Sequence, residues 1–312
     1  MASQTLAEAA KLINNEIVVG VAEDIITTNP IWNVIPWIGY DGQAIVVNRE
    51  NALGTVMNLA VGGTITAKAA ATFVQKTFTA VTTIGDAELN GLVAAQSSSA
   101  GVDQMALEVS SKAKSVGRYL QQGMAVGTGT SPAMNSFHSL CDASQYTTAS
   151  AGQALSFPLL DQLLDLVKAK DGEVDFISAP ARTIRAYKAL VRALGGVNEV
   201  MAFTMPNGTT RNVSAYEGVP IFQNDYISVV ETANGAAITG GALTSVYAGC
   251  WDDGSQKVGC GMIHPASVPA GISVEEVGKA ETKDESIMRV KSYSNFAMFN
   301  RKGLARLPSI NN

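Results

Sequence analysis

Residues 51–67 carry no charged side chain and consist of Gly, Thr, Ala, Asn and scattered aliphatics. β-prone runs flank them, Ala44-Ile-Val-Val-Asn48 before and Phe78-Thr-Ala-Val-Thr-Thr-Ile84 after. Gly42 and the Gly62-Gly63 pair are turn residues. Together they predict a long two-stranded excursion over residues 39–76. Its apolar side chains are too sparse to close a core. A lone hairpin is marginal in water unless it lies on another surface. The chain is thereby constrained to a fold that projects part of itself and rests that part elsewhere.

The rest of the chain can supply a body. At 312 residues, 46% of them hydrophobic, it can bury a sizeable core. Charged residues make up only 16%, against about 25% in an ordinary soluble domain. Such a surface suits faces covered by copies of the same chain; a large Ala- and Gly-rich core is the other reading. Net charge is −5 with no Lys/Arg run, so no basic footprint for specific nucleic-acid binding is present. The start, Met-Ala-Ser-Gln-Thr-Leu-Ala-Glu, has neither the basic nor the apolar region of a signal peptide. No run approaches the roughly 18 apolar residues of a membrane helix. A cytoplasm-like compartment is expected, with Cys141, Cys250 and Cys260 as free thiols.

Periodicity then places the elements. Residues 1–16 read as a short amphipathic helix with Leu6, Ala9, Ala10, Leu12 and Ile13 on one side. Pro30 and Pro36 keep the following segment extended. Trp32 and Trp37 within it must be covered, by the chain's own core or by a neighbour. Residues 77–84 alternate as a half-buried strand, and Ser97–Gly101 read as a loop. Asp103 is the expected N-cap of a long helix carrying Met105, Val109, Ala113, Val116 and Leu120 as one stripe. Gly127 and Gly129 end it. Helices are predicted at 156–168 and 180–194, and a hairpin around Asn207-Gly208. Strands are predicted at 174–177, 218–222, 227–231, 243–251, 257–263, 272–277 and from 287 onward. Residues 150–250 form one expected α/β unit.

Chemistry-bearing residues are few. His138 and Cys141 form H-x-x-C, and Cys260 and His264 form C-x-x-x-H; with Cys250 they are five possible zinc ligands. Their spacing fits no zinc module, so buried thiols and ordinary histidines are expected. No nucleophile elbow, Walker A loop, G-x-G-x-x-G or H-E-x-x-H occurs. Gly127-Thr-Gly-Thr130 follows a helix, so no helix N-terminus aims at an anion there. The sequons at Asn207 and Asn212 lack a secretory context. The expectation is no catalytic residue, no cofactor and no metal, and no enzyme.

The segment order resembles the major capsid protein of tailed bacteriophages, with the Hong Kong 97 fold, over residues 17–308. Gly127-Thr-Gly129 with Phe137-His-Ser-Leu140, Asp175-Phe-Ile-Ser-Ala-Pro-Ala-Arg182 and Tyr216-Glu-Gly-Val-Pro-Ile-Phe222 are similar to the family's texture. The resemblance implies an α+β fold: N-terminal arm (1–38), extended β loop (39–76), peripheral domain with a long spine helix (77–149 and 251–312) and α/β axial domain (150–250). The peripheral sheet would combine residues 77–84 with the C-terminal strands. It implies self-assembly as hexamers and pentamers into an icosahedral virion capsid, built in the host cytoplasm around double-stranded DNA that is contacted non-specifically. A separate scaffolding protein, a portal and decoration proteins are the implied partners; no membrane is. Lys68, Lys76, Asn295 and Asn300 match no crosslinking pattern, and none is expected. Two other classes stay open: an encapsulin-like bacterial compartment of the same fold, and an unrelated α/β enzyme.

Overall fold

A computed structural model describes residues 29–99, 103–147, 152–168, 172–196, 199–204 and 210–311. The helix expected over 1–16 lies outside them.

Two sheets share the body. The first has five strands: β1 (Trp37–Tyr40), β4 (Val81–Asn90), β10 (Cys260–Pro265), β11 (Ser273–Lys279) and β12 (Glu285–Met298). β12 is its organising strand. It pairs antiparallel with β4, with Gly85 opposite Val290, and with β10 and β11. β1 adds parallel to β10, Trp37 opposite Met262. The strand predicted from 287 onward alternates in burial: Val290, Ser292 and Ser294 are buried while Arg289, Lys291 and Tyr293 are partly exposed.

A long helix, α2 (Gln104–Val126), packs on this sheet. Asp103 caps it, its Oδ1 accepting from Ala106 N at 3.1 Å. Val116, Leu120 and Met124 are buried, Val109 and Ala113 flank them, and Met105 is half-buried. The predicted stripe is therefore deepest in the C-terminal half. Gly85 permits the approach, since a Cβ there would lie 3.2 Å from Lys112 Cδ. A short helix, α1 (Gly91–Ser99), takes in the first three residues of the loop expected over Ser97–Gly101, the rest of which lies outside the described residues. Asn90 Oδ1 accepts from Leu92 N at 3.0 Å, and the helix-favouring Ala-Ala-Gln run that follows carries it.

The second sheet has six strands, in the order β13 (Leu304–Ile310), β9 (Thr244–Gly249), β5 (Phe176–Ala179), β8 (Val219–Gln223), β7 (Thr210–Tyr216) and β6 (Val200–Thr204). Helices α3 (Phe157–Lys168) and α4 (Ala181–Ala193) bury Leu159, Leu160, Leu163, Leu164, Tyr187 and Val191 with it. The hairpin predicted around Asn207-Gly208 is β6–β7; its turn lies outside the described residues.

Three expectations change. The C-terminal strands do not all join β4: β13 crosses to the six-stranded sheet and pairs with β9, Arg306 opposite Tyr247. Every β13 residue is buried: Leu304 lies in the core around Phe137, and Ala305, Leu307 and Ile310 lie in the core shared with the helix Phe157–Lys168. Residues 304–310 thus sit with the α/β unit rather than with the peripheral part expected over 251–312. The strand expected at 227–231 is reduced to one bridge, Glu231 opposite Leu243, because side chains take the neighbouring backbone groups: Thr244 Oγ1 donates to Ser228 O at 2.7 Å and Val230 N donates to Ser228 Oγ at 3.2 Å. The strand expected over 77–84 breaks at Thr79-Ala80. There Asn295 Nδ2 donates to Thr79 O at 2.7 Å, and Ala80 N donates to Tyr40 Oη at 3.1 Å.

Phe137 joins the two sheets. It contacts Phe176 and Tyr247 on one side and Phe296 on the other, with ring centroids 5.8, 5.8 and 4.9 Å away.

Candidate assembly surfaces

The predicted excursion leaves the body as an antiparallel hairpin, β2 (Ile45–Ala52) with β3 (Thr72–Phe78). Its first rung, Ile45 opposite Phe78, is buried among Ile38, Tyr40, Ile263, Ala297 and Phe299. Val47 still packs on this core and Arg49 still bonds the body; beyond them the hairpin stands clear. Residues 53–70 form no further ladder, and their aliphatics stand in solvent, Leu53 76% and Val56 94% exposed. Leu59, Ile65, Phe73 and Val74 are exposed as well. A contiguous set of bare apolar side chains marks an interaction surface.

The preceding segment behaves differently. A turn of 3-10 helix covers Pro30–Asn33, with Ile31 buried. Trp32 and Trp37 meet edge to face at 5.6 Å and pack against the chain's own core. Of the two covers that the sequence left open for Trp32 and Trp37, the chain's own core is thus one: Ile31 and Ile35 anchor the segment in it, and β1 pairs with β10 from Trp37 onward.

Across the five-stranded sheet, charges pair. Arg289 takes Asp86 with two bonds of 2.8 Å, and Lys291 takes Glu275. The Arg289 bonds hold the Asp86 carboxyl below its ordinary range. An open cleft of about 790 Å³ runs between this edge and α2, lined by Asp86, Glu88, Glu108, Lys112 and Arg289.

One charged group is wholly internal. Arg306 and Glu231 are each 1% exposed, with Nη2 donating to Oε2 at 3.0 Å. Arg306 Nε donates to Ser245 Oγ at 2.9 Å, and Ser245 donates in turn to Glu231. The guanidinium lies 5.2 Å from the Tyr146 ring centroid and 5.6 Å from that of Tyr247. Gly235, at φ +61°, makes room: a Cβ there would sit 1.8 Å from Arg306 Nη2. Sequence reading missed this network, since Arg306 and Glu231 lie 75 positions apart.

The five metal-ligand candidates do not converge, and no group of three His, Cys, Asp or Glu that could hold a metal occurs among the described residues. His138 Nδ1 lies 3.5 Å from Tyr247 Oη, and burial, with Arg306 nearby, lowers its pKa to about 4. His264 Nδ1 sits 3.0 Å from the carbonyls of Pro265 and Val268. All three thiols are buried; burial raises Cys141 to about 12 and Cys250 to about 11, and raises Cys260 as well. A thiol held protonated is a poor ligand and a poor nucleophile. Asn295 is buried, and its Oδ1 accepts from Asn135 N at 2.8 Å. Gly127 closes α2, as expected, through its N–H to Gly123 O at 2.8 Å. No described helix is long and apolar enough to cross a membrane.

No known family profile matches the sequence, and no curated protein does. Solved structures do match, over almost the whole length. A subunit of the holo-SrpI encapsulin complex from Synechococcus elongatus PCC 7942 superposes with a TM-score of 0.71 at 16% identity, covering 100% of this chain and 97% of that one. The cyanophage A-1(L) capsid protein gives 0.71 at 10% identity, covering 99% and 100%. The capsid protein of a native GTA particle gives 0.63 at 9%, covering 99% of both. The chain has the Hong Kong 97-type fold that these shell proteins share.

Proposed function

We propose that this chain is a structural shell protein, the major capsid protein of a tailed bacteriophage. It assembles with copies of itself, as hexamers and pentamers, into an icosahedral shell around double-stranded DNA. The observation that carries this reading is the hairpin. Residues 53–70 expose aliphatic side chains with Lys68 as their one charge, and none of them belongs to the body's cores. A copy of the chain is the surface on which they come to rest. The full-length likeness to capsid proteins supports the same reading. The division of labour we propose is an arm up to residue 38, a loop over 39–76, a peripheral part over 77–149 and 251–303, and an axial part over 150–250 with 304–310. The particle is the virion capsid, assembled in the host cytoplasm with a separate scaffolding protein and a portal, and with decoration proteins as further candidates. It uses no cofactor and catalyses no reaction.

A second reading, an encapsulin-like compartment, is favoured by the 16% identity and 0.71 TM-score to an encapsulin subunit. Electron microscopy of the purified particle, with analysis of its contents, separates the two. Nuclease-protected double-stranded DNA supports the capsid; a protein cargo without DNA supports the compartment. A subunit that stays monomeric at every concentration, with or without scaffolding protein, rejects both.

A further inference from the structure

The hairpin is joined to the body through Asp41–Ala44 and Thr79–Ala80. Its buried rung, Ile45–Phe78, sits between these links. Four residues up the same face of β2, Arg49 reaches back to the body. Its Nε donates to Phe299 O at 2.9 Å, and its Nη2 donates to Met298 O. The guanidinium lies 5.9 Å from the centroid of the Phe78 ring, which itself meets Phe299 edge to face.

Both acceptors are backbone carbonyls, so no carboxylate is dedicated to Arg49. A like charge shares the corner. Arg301 lies two residues past Phe299 and is held by Asp142 through bonds of 2.7 and 2.8 Å. Arg49 is thus drawn in by two carbonyls and by Asp142, and pushed out by Arg301. Burial, with Arg301 adding and Asp142 opposing, lowers the Arg49 pKa from its ordinary value.

We propose that Arg49 is a reversible latch that sets the angle of the β2–β3 hairpin on the body, weakened by Arg301 and strengthened by Asp142. Seated, Arg49 fixes the hairpin against the end of β12. Withdrawn, it leaves no buried acid unpaired. The hairpin then pivots on its two links about the Ile45–Phe78 rung. The latch belongs to the single subunit, so it stands or falls separately from shell formation.

Spin labels on Thr64→Cys, in the hairpin, and Ser267→Cys, on the body, report the angle; both positions are exposed and the native thiols are buried. The unassembled full chain should give one narrow distance distribution. Arg49→Met should lose it and give a broad one. Arg301→Met should keep it narrow, because Asp142 retains its bond from Ser144 N and turns its charge to Arg49. Arg49→Lys should fall between, having charge without the two-pronged reach. Melting curves by circular dichroism check folding, and Arg49→Lys carries the comparison if Arg49→Met does not fold. An unchanged distribution in the folded Arg49 variants, or Arg301→Met broadening as much as Arg49→Met, overturns the latch.

Discussion

A single buried arginine ties together elements far apart in sequence. Arg306 and Glu231 are both out of water, so each needs the other. Removing one partner of a buried pair strands a charge and costs about 3–5 kcal/mol, whereas replacing both with apolar groups is often close to neutral. Arg306→Met or Glu231→Met alone should therefore lower stability by about that amount, and the double variant should recover most of it. Urea denaturation of the four proteins measures the cycle; additive losses would show that the two groups act independently. His138 gives a pH signature at the same scale. The folded chain resists protonating it until about 4, whereas the unfolded chain protonates it from 6.5 downward. Its depressed pKa means that stability is complete above that window and falls as pH drops through it. His138→Gln should flatten that acid-side slope in melting temperatures taken across the window; an identical slope would assign it to other groups.

Among the elements, the long helix is the most exposed to a packing test. Leu120 is fully buried between α2 and the five-stranded sheet. Leu120→Ala should cost about 2–5 kcal/mol by denaturant titration, and Val109→Ala, at the shallow end of the stripe, clearly less. Equal costs would mean that the helix is buried uniformly. This helix was legible because periodicity and caps are local: Asp103 and Gly127 bracket a run whose apolar spacing suits one face. The helices at 157–168 and 181–193 and the Asn-Gly hairpin were readable for the same reason. The partner of β13 was not. Alternation says that a segment is a strand and is silent on which edge it joins. Residues 227–231 misled for another reason: Ile227, Val229 and Val230 look strand-like, but the Ser228 and Thr244 hydroxyls occupy backbone groups that a ladder would use. The Arg306 network left no trace at all, since nothing near Arg306 in sequence announces an acid opposite it. The bare apolar surface of the hairpin was legible, because absence of charge over a long stretch is itself a local signal.

At the scale of the whole molecule, the hairpin is separable from the body. The cores lie elsewhere, and the excursion beyond Ala52 contributes no buried side chain before β3. Replacing residues 53–70 with a short turn should leave folding and melting temperature unchanged while abolishing shells in electron micrographs. Normal shells from this variant would remove the hairpin from the proposed assembly. The join between hairpin and body has a mechanical meaning too. β3 passes into β4 across two residues, and β4 is bonded along its whole length, Val81 to Asn90, to β12. A pull on the hairpin along β4 loads that ladder in shear, so its hydrogen bonds must fail together rather than one after another. Traction from a neighbouring molecule would then be carried straight into the central strand of the sheet, and yielding would be governed by the rate of unfolding rather than by the equilibrium stability of the subunit.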